Sequence, residues 1–412
     1  MNKENKEKVE SNICPICGRP SYKSSKYCIF HAKLAEKEEE EFKKALKEYI
    51  EKIKENNLDY NFSEFIFIGK IDFEKEFKLN IFKYVNFMDA TFEDEVNFMD
   101  ATFESSADFE RVTFKSNVNF VDTTFKSHAF FDGTIFKKYV DFGGTTFEGI
   151  AGFGDVTFDD DAVFEDAIFK GDTYFGEAIF KKNVHFSWAK LPPGKLLSLT
   201  VKGRGNIFFK QTFLEHIILS LDLEKDTFID FTNATLKNTR IKMEEIDGHI
   251  LQEQEKTFSE AKEIYLLLKN NFHSVGKYKD ESWAFKKEKD MERKDNCHFK
   301  SLHKWLWSCV LNGVFGYGEQ PIKVIISAMS IILIFTFLFM GSGISNIDIE
   351  RITTKNFFDC IYFSTVTFTT LGLGDFRPVE GWGRILVGTE AFIGAFMMAL
   401  FVYTFARRTG GR

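Results

Sequence analysis

From Val96 to Phe120 the sequence reads VNFMDATFESSADFERVTFKSNVNF. Its spacing of alternately five and six residues places phenylalanine at Phe98, Phe103, Phe109, Phe114 and Phe120. In a helix, which turns by about 100° per residue, steps of five and six residues would not keep the phenylalanines on one face. An eleven-residue helical repeat is therefore excluded. A small or β-branched residue stands two places before most of these phenylalanines, and this period of two is typical of short strands. Short strands at a fixed period predict a β-solenoid in which Phe stacks on Phe from coil to coil.

The same spacing extends over Val85 to Phe186, and five-residue spacing returns between Phe231 and Ile246. The units resemble pentapeptide repeats, whose central residue is Leu or Phe with Ala two places before it. That resemblance implies a right-handed, four-sided β-helix, here with 22 residues in each coil because alternate units carry one extra residue. Together with an N-terminal extension, these units predict a solenoid over residues 61–250. The extension is indicated by Phe62, Phe67 and Phe73.

The composition of the 412 residues hides a strong internal contrast. The chain is 28% charged and contains 50 Phe, yet the residues after Pro321 are strongly apolar. Residues 85–190 contain nine Lys and Arg against twenty Asp and Glu, which gives this segment a net charge of −11. The net charge of the whole chain is −7, so the rest of the chain is positive. An acidic rod can mimic DNA, or its carboxylates can simply keep a Phe-packed rod soluble. We favour solubility and expect no nucleic-acid partner.

The N-terminal segment, residues 10–34, contains two short hooks of metal-binding type. Two such hooks are a usual way to place four soft ligands around one tetrahedral Zn²⁺. Four protein ligands leave no open position, so the predicted zinc is structural rather than catalytic. The charged start of the chain has no apolar signal segment, which agrees with a reduced, cytoplasmic N-terminus. The predicted ligands are Cys14, Cys17, Cys28 and His31.

Three helical segments are expected outside the repeats. Residues 35–60 have apolar residues at helical spacing but many charges, and we interpret them as a solvated linker. Residues 251–296 predict a connector of two helices separated at Gly276. Residues 298–318 are rich in Trp and apolar residues next to basic ones, which predicts a helix at a membrane interface.

The last part of the chain, residues 319–412, has the length pattern of a membrane module. Ile322 to Met340 and Gly383 to Phe405 are long and apolar enough to span a bilayer. Phe357 to Thr369 is apolar but too short to cross, which predicts a re-entrant helix with Asn356 as its N-cap. The density of basic residues predicts that both chain termini are cytoplasmic.

The re-entrant helix is followed by a glycine-containing segment, TLGLGD. Glycine at alternate positions permits backbone angles that turn successive carbonyls to the same side, where they can replace the water around an ion. This module resembles the two-transmembrane potassium channel family, whose filter reads TVGYGD. The resemblance implies that backbone carbonyls and one Thr hydroxyl bind the permeant K⁺. The implied filter consists of Thr370, Leu371, Gly372, Leu373, Gly374 and Asp375.

Further residues of the second span are candidates for gating and support. Gly394 stands where the family keeps a hinge glycine, and Phe401 and Phe405 are candidates for an inner gate. Glu390 is an acid within the apolar span, which makes it a functional candidate. It can brace the pore helix or contact ions, and a structural hydrogen bond is the favoured interpretation. Leu373 stands where the family has a Tyr that holds the filter open through its hydroxyl. In this chain, packing of Leu373 on Tyr362 or Phe363 would have to replace that hydrogen bond.

These observations predict one subunit of a homotetrameric, potassium-selective channel in the cell membrane, because each chain supplies a single pore loop. Gating by the cytoplasmic part is the natural hypothesis. The alternative is a weakly selective monovalent cation channel whose solenoid is a passive scaffold for a protein partner. An enzyme is not expected, because neither a P-loop nor a nucleophile–base pair is recognisable.

Overall fold

A computed structural model of the chain describes residues 13–194, 196–202, 204–296, 302–318, 320–346, 353–379 and 381–409. Predictions for the first ten residues and for residues 298–301 of the interfacial helix lie outside these ranges. The chain divides into two compact units, Met1–Val275 and Gly276–Arg412. Each unit is described by itself.

The first unit is a β-solenoid of about eight coils, as the repeat predicted. Its strands form four parallel sheets, and neighbouring strands are offset by 22 residues through most of the repeat, as in the pairing of Thr113 with Ile135. Most strands contain two residues, because each coil turns a corner after every short strand. The strands extend from Tyr60 to Lys237.

The bounds of the strands follow the four sheets. The first sheet contains Tyr60–Asn61, Val85–Asn86, Ala107–Asp108, Ala129–Phe130, Ala151–Gly152 and Thr173–Tyr174. The second contains Ile66–Phe67, Thr91–Phe92, Thr113–Phe114, Ile135–Phe136, Thr157–Phe158, Ile179–Phe180, Leu196–Val201 and Ile218–Leu223. The third contains Ile71–Asp72, Val96–Asn97, Val118–Asn119, Val140–Asp141, Ala162–Val163, Val184–His185, Ile207–Phe208 and Ile229–Asp230. The fourth contains Ile81–Phe82, Thr102–Phe103, Thr124–Phe125, Thr146–Phe147 and Ile168–Phe169, and the pair Phe213–Glu215 and Thr235–Lys237 continues it through a bridge at Lys190.

The core of the solenoid is a set of phenylalanine stacks. Phe120 lies 4.8 Å from Phe142 with the rings nearly parallel, and Phe142 lies 4.9 Å from Phe164. Rings of neighbouring stacks meet edge to face, as Phe142 and Phe153 do at 5.7 Å. Parallel displaced and edge-to-face pairs are the arrangements that aromatic rings favour. The predicted stacking of Phe from coil to coil is therefore confirmed.

The five-residue corners depend on one left-handed residue each. A positive φ recurs every eleven residues from Asp89 to Trp188. Asp and Asn tolerate this conformation better than most residues other than Gly. Asp occupies five of these ten corners and Gly two. Part of the acidity of the rod is therefore a requirement of its turns, a cause that the sequence interpretation did not include.

The N-terminal end of the solenoid is covered by a helix that was wrongly interpreted as a solvated linker. A 3₁₀ turn, Leu34–Glu36, leads into helix α1, Glu39–Asn56. Its apolar face is buried, and the Phe42 ring lies 5.8 Å from Phe67 in the first coil. The first coil also contains a short helix α2, Phe73–Phe77. This helix increases the sequence offset between the paired strands to 25 residues, as between Ile71 and Val96. The open end of a solenoid exposes apolar core residues that must be covered. Helix α1 covers them with its apolar face, and this packing stabilises the helix although its other face is highly charged.

The C-terminal end of the solenoid is closed by three helices, α3 (Met243–Ile246), α4 (Leu251–Gln254) and α5 (Phe258–Ser274). The buried side chain of Asn271 on α5 accepts a hydrogen bond from the N–H of Thr239 at 2.9 Å and donates one to its carbonyl at 2.8 Å. The amide of Asn271 thus takes the place of the peptide that another coil would supply. Both predicted connector helices exist, but α5 belongs to the solenoid unit.

The second unit is helical. It contains α6 (Tyr278–Asp295), α7 (Leu302–Phe315), a turn at Gly316–Gly318, α8 (Pro321–Ser342), α9 (Phe357–Phe368) and α10 (Trp382–Thr409). Helices α8 and α10 are long and apolar enough to cross a membrane, and they are mostly exposed in the single chain. The loops between them form a small antiparallel sheet that the sequence interpretation missed, made of Ile344–Asn346, Thr353–Thr354 and Phe376–Pro378.

Candidate functional site

The short helix α9 lies between the two candidate spans, as predicted. Its N-cap is Asn356, whose side chain accepts a hydrogen bond from the N–H of Phe358 at 3.2 Å. Phe363 on the inner face of α9 meets Phe339 of α8 edge to face at 4.9 Å. The helix is thus fixed at its start by a cap and along its length by apolar packing.

The backbone after α9 alternates in handedness. The φ angle is +56° at Thr370, +56° at Gly372 and +84° at Gly374. A positive φ is uncommon for Thr, and such residues concentrate at functional sites. Alternation of this kind turns successive peptide units the same way, so that their carbonyls can share one side of the chain. The two predicted glycine positions therefore have the backbone that only glycine adopts freely.

The two leucine side chains of this segment are mostly exposed in the single chain. Leu371 is 68% exposed and Leu373 is 64% exposed. No atom lies within 4 Å of the position that a Cβ would take on Gly372. Leu373 is thus largely exposed in the single chain, and its expected packing on Tyr362 or Phe363 stays a prediction.

Asp375 at the end of the segment is held from behind. The Tyr362 side chain of α9 interacts with the Asp375 carboxylate, which also accepts a hydrogen bond from the N–H of Phe376 at 3.1 Å. The Tyr362 ring also meets Phe376 edge to face at 6.0 Å. Phe376 begins the strand that pairs with Ile344–Asn346. The outer end of the segment is therefore tied to α9 and to the small antiparallel sheet.

Two residues of α10 contact α9 directly. Glu390 is fully buried, and the hydroxyl oxygen of Ser364 lies 2.5 Å from one of its carboxyl oxygens. A Cβ on Gly394 would lie 1.9 Å from the carbonyl oxygen of Phe368. The sequence-predicted hinge glycine therefore stands where the two helices approach most closely. Its role as a hinge stays a prediction.

The far end of α10 contains the two candidate gate residues. The rings of Phe401 and Phe405 are 6.0 Å apart along one face. Tyr403, between them in sequence, reaches the turn before α8, where a Cβ on Gly318 would lie 3.6 Å from the Tyr403 ring. The Tyr317 hydroxyl in that turn lies 2.9 Å from the Ser308 hydroxyl on α7. This turn also packs against α6, so it connects α6 with the end of α10.

The four predicted metal ligands converge in the first unit. Their ligand atoms all lie within 4.8 Å of one another. The Nδ1 atom of His31 is 3.1 Å from Cys28 Sγ and 3.6 Å from Cys14 Sγ, and Cys17 Sγ is 3.5 Å from Cys28 Sγ. Tetrahedral zinc with sulfur at about 2.3 Å gives ligand separations of this size. The cluster can therefore hold a metal ion.

Contacts of His31 and Phe30 attach this cluster to the solenoid. The Nε2 atom of His31 lies 3.4 Å from the carbonyl of Ser63, a contact that leaves Nδ1 as the ligand atom. Burial raises the pKa of Cys28 to about 12 and lowers the pKa of His31. A divalent cation reverses the first effect by displacing the thiol protons. Phe30 next to the cluster stacks on Phe65 at 4.5 Å, which continues the aromatic core.

Three contributors to the site were missed from the sequence, namely Ser364, the Tyr362–Asp375 pair and the Gly316–Gly318 turn. Ser364 is one of several hydroxyl residues in α9, and its partner is 26 residues away. Only the two glycines around Tyr317 gave a local signal for the turn.

Comparisons with known proteins agree with this division of the chain. Residues 324–410 match the family model of ion channels, and residues 87–135 and 131–179 match the model of pentapeptide repeats. The chain therefore carries an ion-channel domain and a pentapeptide-repeat domain. It is similar to "Probable potassium channel protein 2" of Methanocaldococcus jannaschii, with 37% identity over 79 residues, 19% of this chain and 21% of that relative. The chain thus spans about a fifth of the length of the curated relative it matches. No solved structure gives a match.

Proposed function

We propose that this chain is one subunit of a homotetrameric, potassium-selective channel, and that Thr370 to Asp375 form its filter. The observation that carries the proposal is the alternating backbone at Thr370, Gly372 and Gly374, directly after a capped re-entrant helix between two apolar spans. Backbone carbonyls in such a row replace the hydration shell of a K⁺ ion.

The exposure of the proposed filter supports assembly into a tetramer. One row of carbonyls meets an ion from a single side, whereas four rows surround it. Leu371 and Leu373 are exposed in the single chain, so neighbouring copies are the natural cover for them. Cyclic assembly of identical subunits gives this arrangement with one interface.

Selectivity for K⁺ is supported by the filter pattern and by the name of the M. jannaschii relative. Leu373 supplies its carbonyl as any residue does, but it cannot make the hydroxyl hydrogen bond of the family's Tyr. The interaction of Tyr362 with Asp375 would brace the filter from behind instead. A weakly selective monovalent cation channel is the alternative if that brace is too weak.

For gating, we favour a path from α6 through the Gly316–Gly318 turn to Tyr403 on α10. The Tyr317 hydroxyl bonds to α7, and Lys289, Asp290 and Arg293 of α6 interact electrostatically with Tyr317. A shift of α6 would therefore move the end of α10, where Phe401 and Phe405 are the candidate gate. The hinge role of Gly394 belongs to the same hypothesis.

The Cys/His cluster is proposed to bind one structural Zn²⁺ in the N-terminal end of the solenoid. The membrane location is supported by the two apolar spans, and the plasma membrane with cytoplasmic termini remains part of the proposal. If the solenoid is instead a passive scaffold, it should retain a protein partner without affecting opening.

The decisive measurement is single-channel recording of the reconstituted chain between KCl and NaCl solutions. A reversal potential close to the K⁺ equilibrium value is expected, whereas a reversal at zero contradicts potassium selectivity. The Gly372→Ala change should abolish conduction, because its positive φ disfavours any side chain. Gly388→Ala on α10 is the matched control, since neither glycine has an atom within 4 Å of its Cβ position and Gly388 has ordinary helical backbone. Current that persists in Gly372→Ala would refute the filter assignment.

The same recordings test the gating path. Removal of residues 1–275, the first unit, should change the open probability if the first unit acts on α6. An unchanged open probability favours the scaffold alternative.

A further inference from the structure

A buried polar contact joins the three helices of the pore module behind the filter segment. The Ser364 hydroxyl on α9 lies 2.5 Å from a carboxyl oxygen of Glu390 on α10. The same hydroxyl lies 3.0 Å from the carbonyl oxygen of Ile332 on α8. Ser364 and Glu390 are both 0% exposed in the single subunit, so neither the lipid nor an ion pathway reaches them. Assembly of further copies can only cover more surface.

Counting hydrogens determines the state of Glu390. The Ser364 hydroxyl has one hydrogen, and the Ile332 carbonyl can only accept. A hydrogen shared between two acceptors would weaken both contacts, so each is a full hydrogen bond only if the Glu390 carboxyl carries a proton and donates it to Ser364. The second carboxyl oxygen has no hydrogen-bond partner among the described residues. No charged side chain in the described part of the chain forms an ion pair with this carboxyl either. A buried carboxylate without such partners is strongly disfavoured relative to the neutral acid.

A second contact between α9 and α10 lies one turn further along both helices than the contact of Ser364 with Glu390. Gly394 follows Glu390 by four residues, and Phe368 follows Ser364 by four. A Cβ on Gly394 would overlap the carbonyl of Phe368 at 1.9 Å, so the helices touch backbone to backbone there. Phe368 ends α9 two residues before Thr370. Two successive turns of α10 therefore locate the end of α9 from which the filter segment emerges.

We infer that Glu390 acts as a neutral acid that positions α9, and with it the filter, through its hydrogen bond to Ser364. It is a positioning residue and neither binds the permeant ion nor supplies a charge to it. The effect on conduction rests on the proposed channel function, whereas the effect on packing does not.

The test compares four variants of the full chain reconstituted in bilayers. Glu390→Ala and Ser364→Ala should each lower the open probability by about tenfold, the factor that corresponds to one lost buried hydrogen bond. Glu390→Gln should keep open probability and K⁺/Na⁺ selectivity near those of the parent chain, since its amide N–H can donate to Ser364 without any charge. Thr389→Val is the matched control, because the exposed Thr389 hydroxyl bonds only to Ile385 of its own helix at 2.8 Å.

Two outcomes overturn the inference. If Glu390→Gln is as impaired as Glu390→Ala, the carboxyl acts through its charge. If Glu390→Ala behaves as the parent chain does, the contact positions nothing.

Thermal unfolding of the same variants in detergent separates this inference from the channel proposal. Glu390→Ala and Ser364→Ala should lower the melting temperature of the helical unit, and the double variant should lower it no further, since both remove one interaction. If the double variant instead loses the sum of the two decreases in melting temperature, Ser364 and Glu390 do not act through one shared hydrogen bond. This result stands even if the parent chain conducts no K⁺, in which case only the proposed function fails.

Discussion

Phenylalanine is almost always buried in the solenoid, whereas buried and strongly exposed rings stand side by side in the pore module, although both regions are rich in it. Phe120 and Phe142 are 0% exposed, whereas Phe358 is 75% and Phe392 is 77% exposed. The solenoid surrounds each ring with rings of its own neighbouring coils. The pore module leaves several of its rings exposed, and under the proposed function lipid and further copies of the chain would cover them. One unit thus completes its packing within a single chain, and the other is proposed to complete it only by assembly in a bilayer.

The strongest test of this contrast is to remove one ring from each unit. Phe142→Ala should destabilise the solenoid by about 3–5 kcal/mol, the usual range for a buried Phe, because it interrupts a stack on both sides. Phe392→Ala should leave the unfolding of the solenoid unchanged and affect the helical unit much less. Circular dichroism of the full chain in detergent resolves the β and helical transitions. Equal losses from the two changes would contradict the contrast.

Removal of metal tests whether the solenoid is complete without a ligand. If Zn²⁺ binds the cluster, a free concentration a hundredfold above Kd stabilises the folded end by about 2.7 kcal/mol. A chelator and the Cys28→Ala change should therefore both lower the melting temperature of the solenoid, and Zn²⁺ should restore only the chelated protein. Cys309→Ala, which is outside the cluster, serves as the control. A melting temperature insensitive to chelation would mean that the end folds without metal.

The C-terminal end offers a matched pair of adjacent asparagines. Asn271→Ala should destabilise the solenoid by about 1–3 kcal/mol, because the peptide N–H and carbonyl of Thr239 lose a buried partner. Asn270→Ala, at an exposed position of the same helix, should have little effect. Urea denaturation of the two variants gives the comparison. Similar midpoints would show that α5 covers the end by apolar packing alone.

The smallest effect concerns the acidic surface. Burial, together with the nearby acids Asp89 and Asp132, raises the pKa of Asp108. A raised folded pKa means that the charged form costs stability at neutral pH, and that this cost disappears as pH falls below the folded pKa. Asp108→Asn should therefore raise the melting temperature slightly at pH 7, with a gain that fades toward pH 4.

The neighbouring coil supplies the precedent for this change. Asn86 stands at the equivalent position, and its side-chain oxygen accepts from the N–H of Met88 at 2.8 Å, as Asp108 accepts from Glu110 at 2.9 Å. If the gain in melting temperature from Asp108→Asn grows as pH falls, the pKa of Asp108 is not raised in the folded protein.

Local patterns in the sequence were reliable where the structure itself is local. The five-and-six spacing predicted the coils and the stacks, because each coil repeats the same few residues. The N-cap Asn356, the glycines with positive φ after α9 and the four converging Cys and His residues were likewise recognisable from short motifs. The interpretation of residues 35–60 was wrong because the apolar face of α1 is covered by a distant surface, the open end of the first coil.

The candidate site divides in the same way. By itself, the sequence determined the order of span, short helix, glycine-containing segment and span, since length and hydropathy decide what can cross a bilayer. It also indicated Glu390, since an acid is conspicuous in an apolar span. Only the tertiary structure decided that Ser364 and Ile332 are the neighbours of Glu390, and that Gly394 meets Phe368. Those contacts join residues on different helices whose spacing in the chain carries no period, and packing alone brings them together.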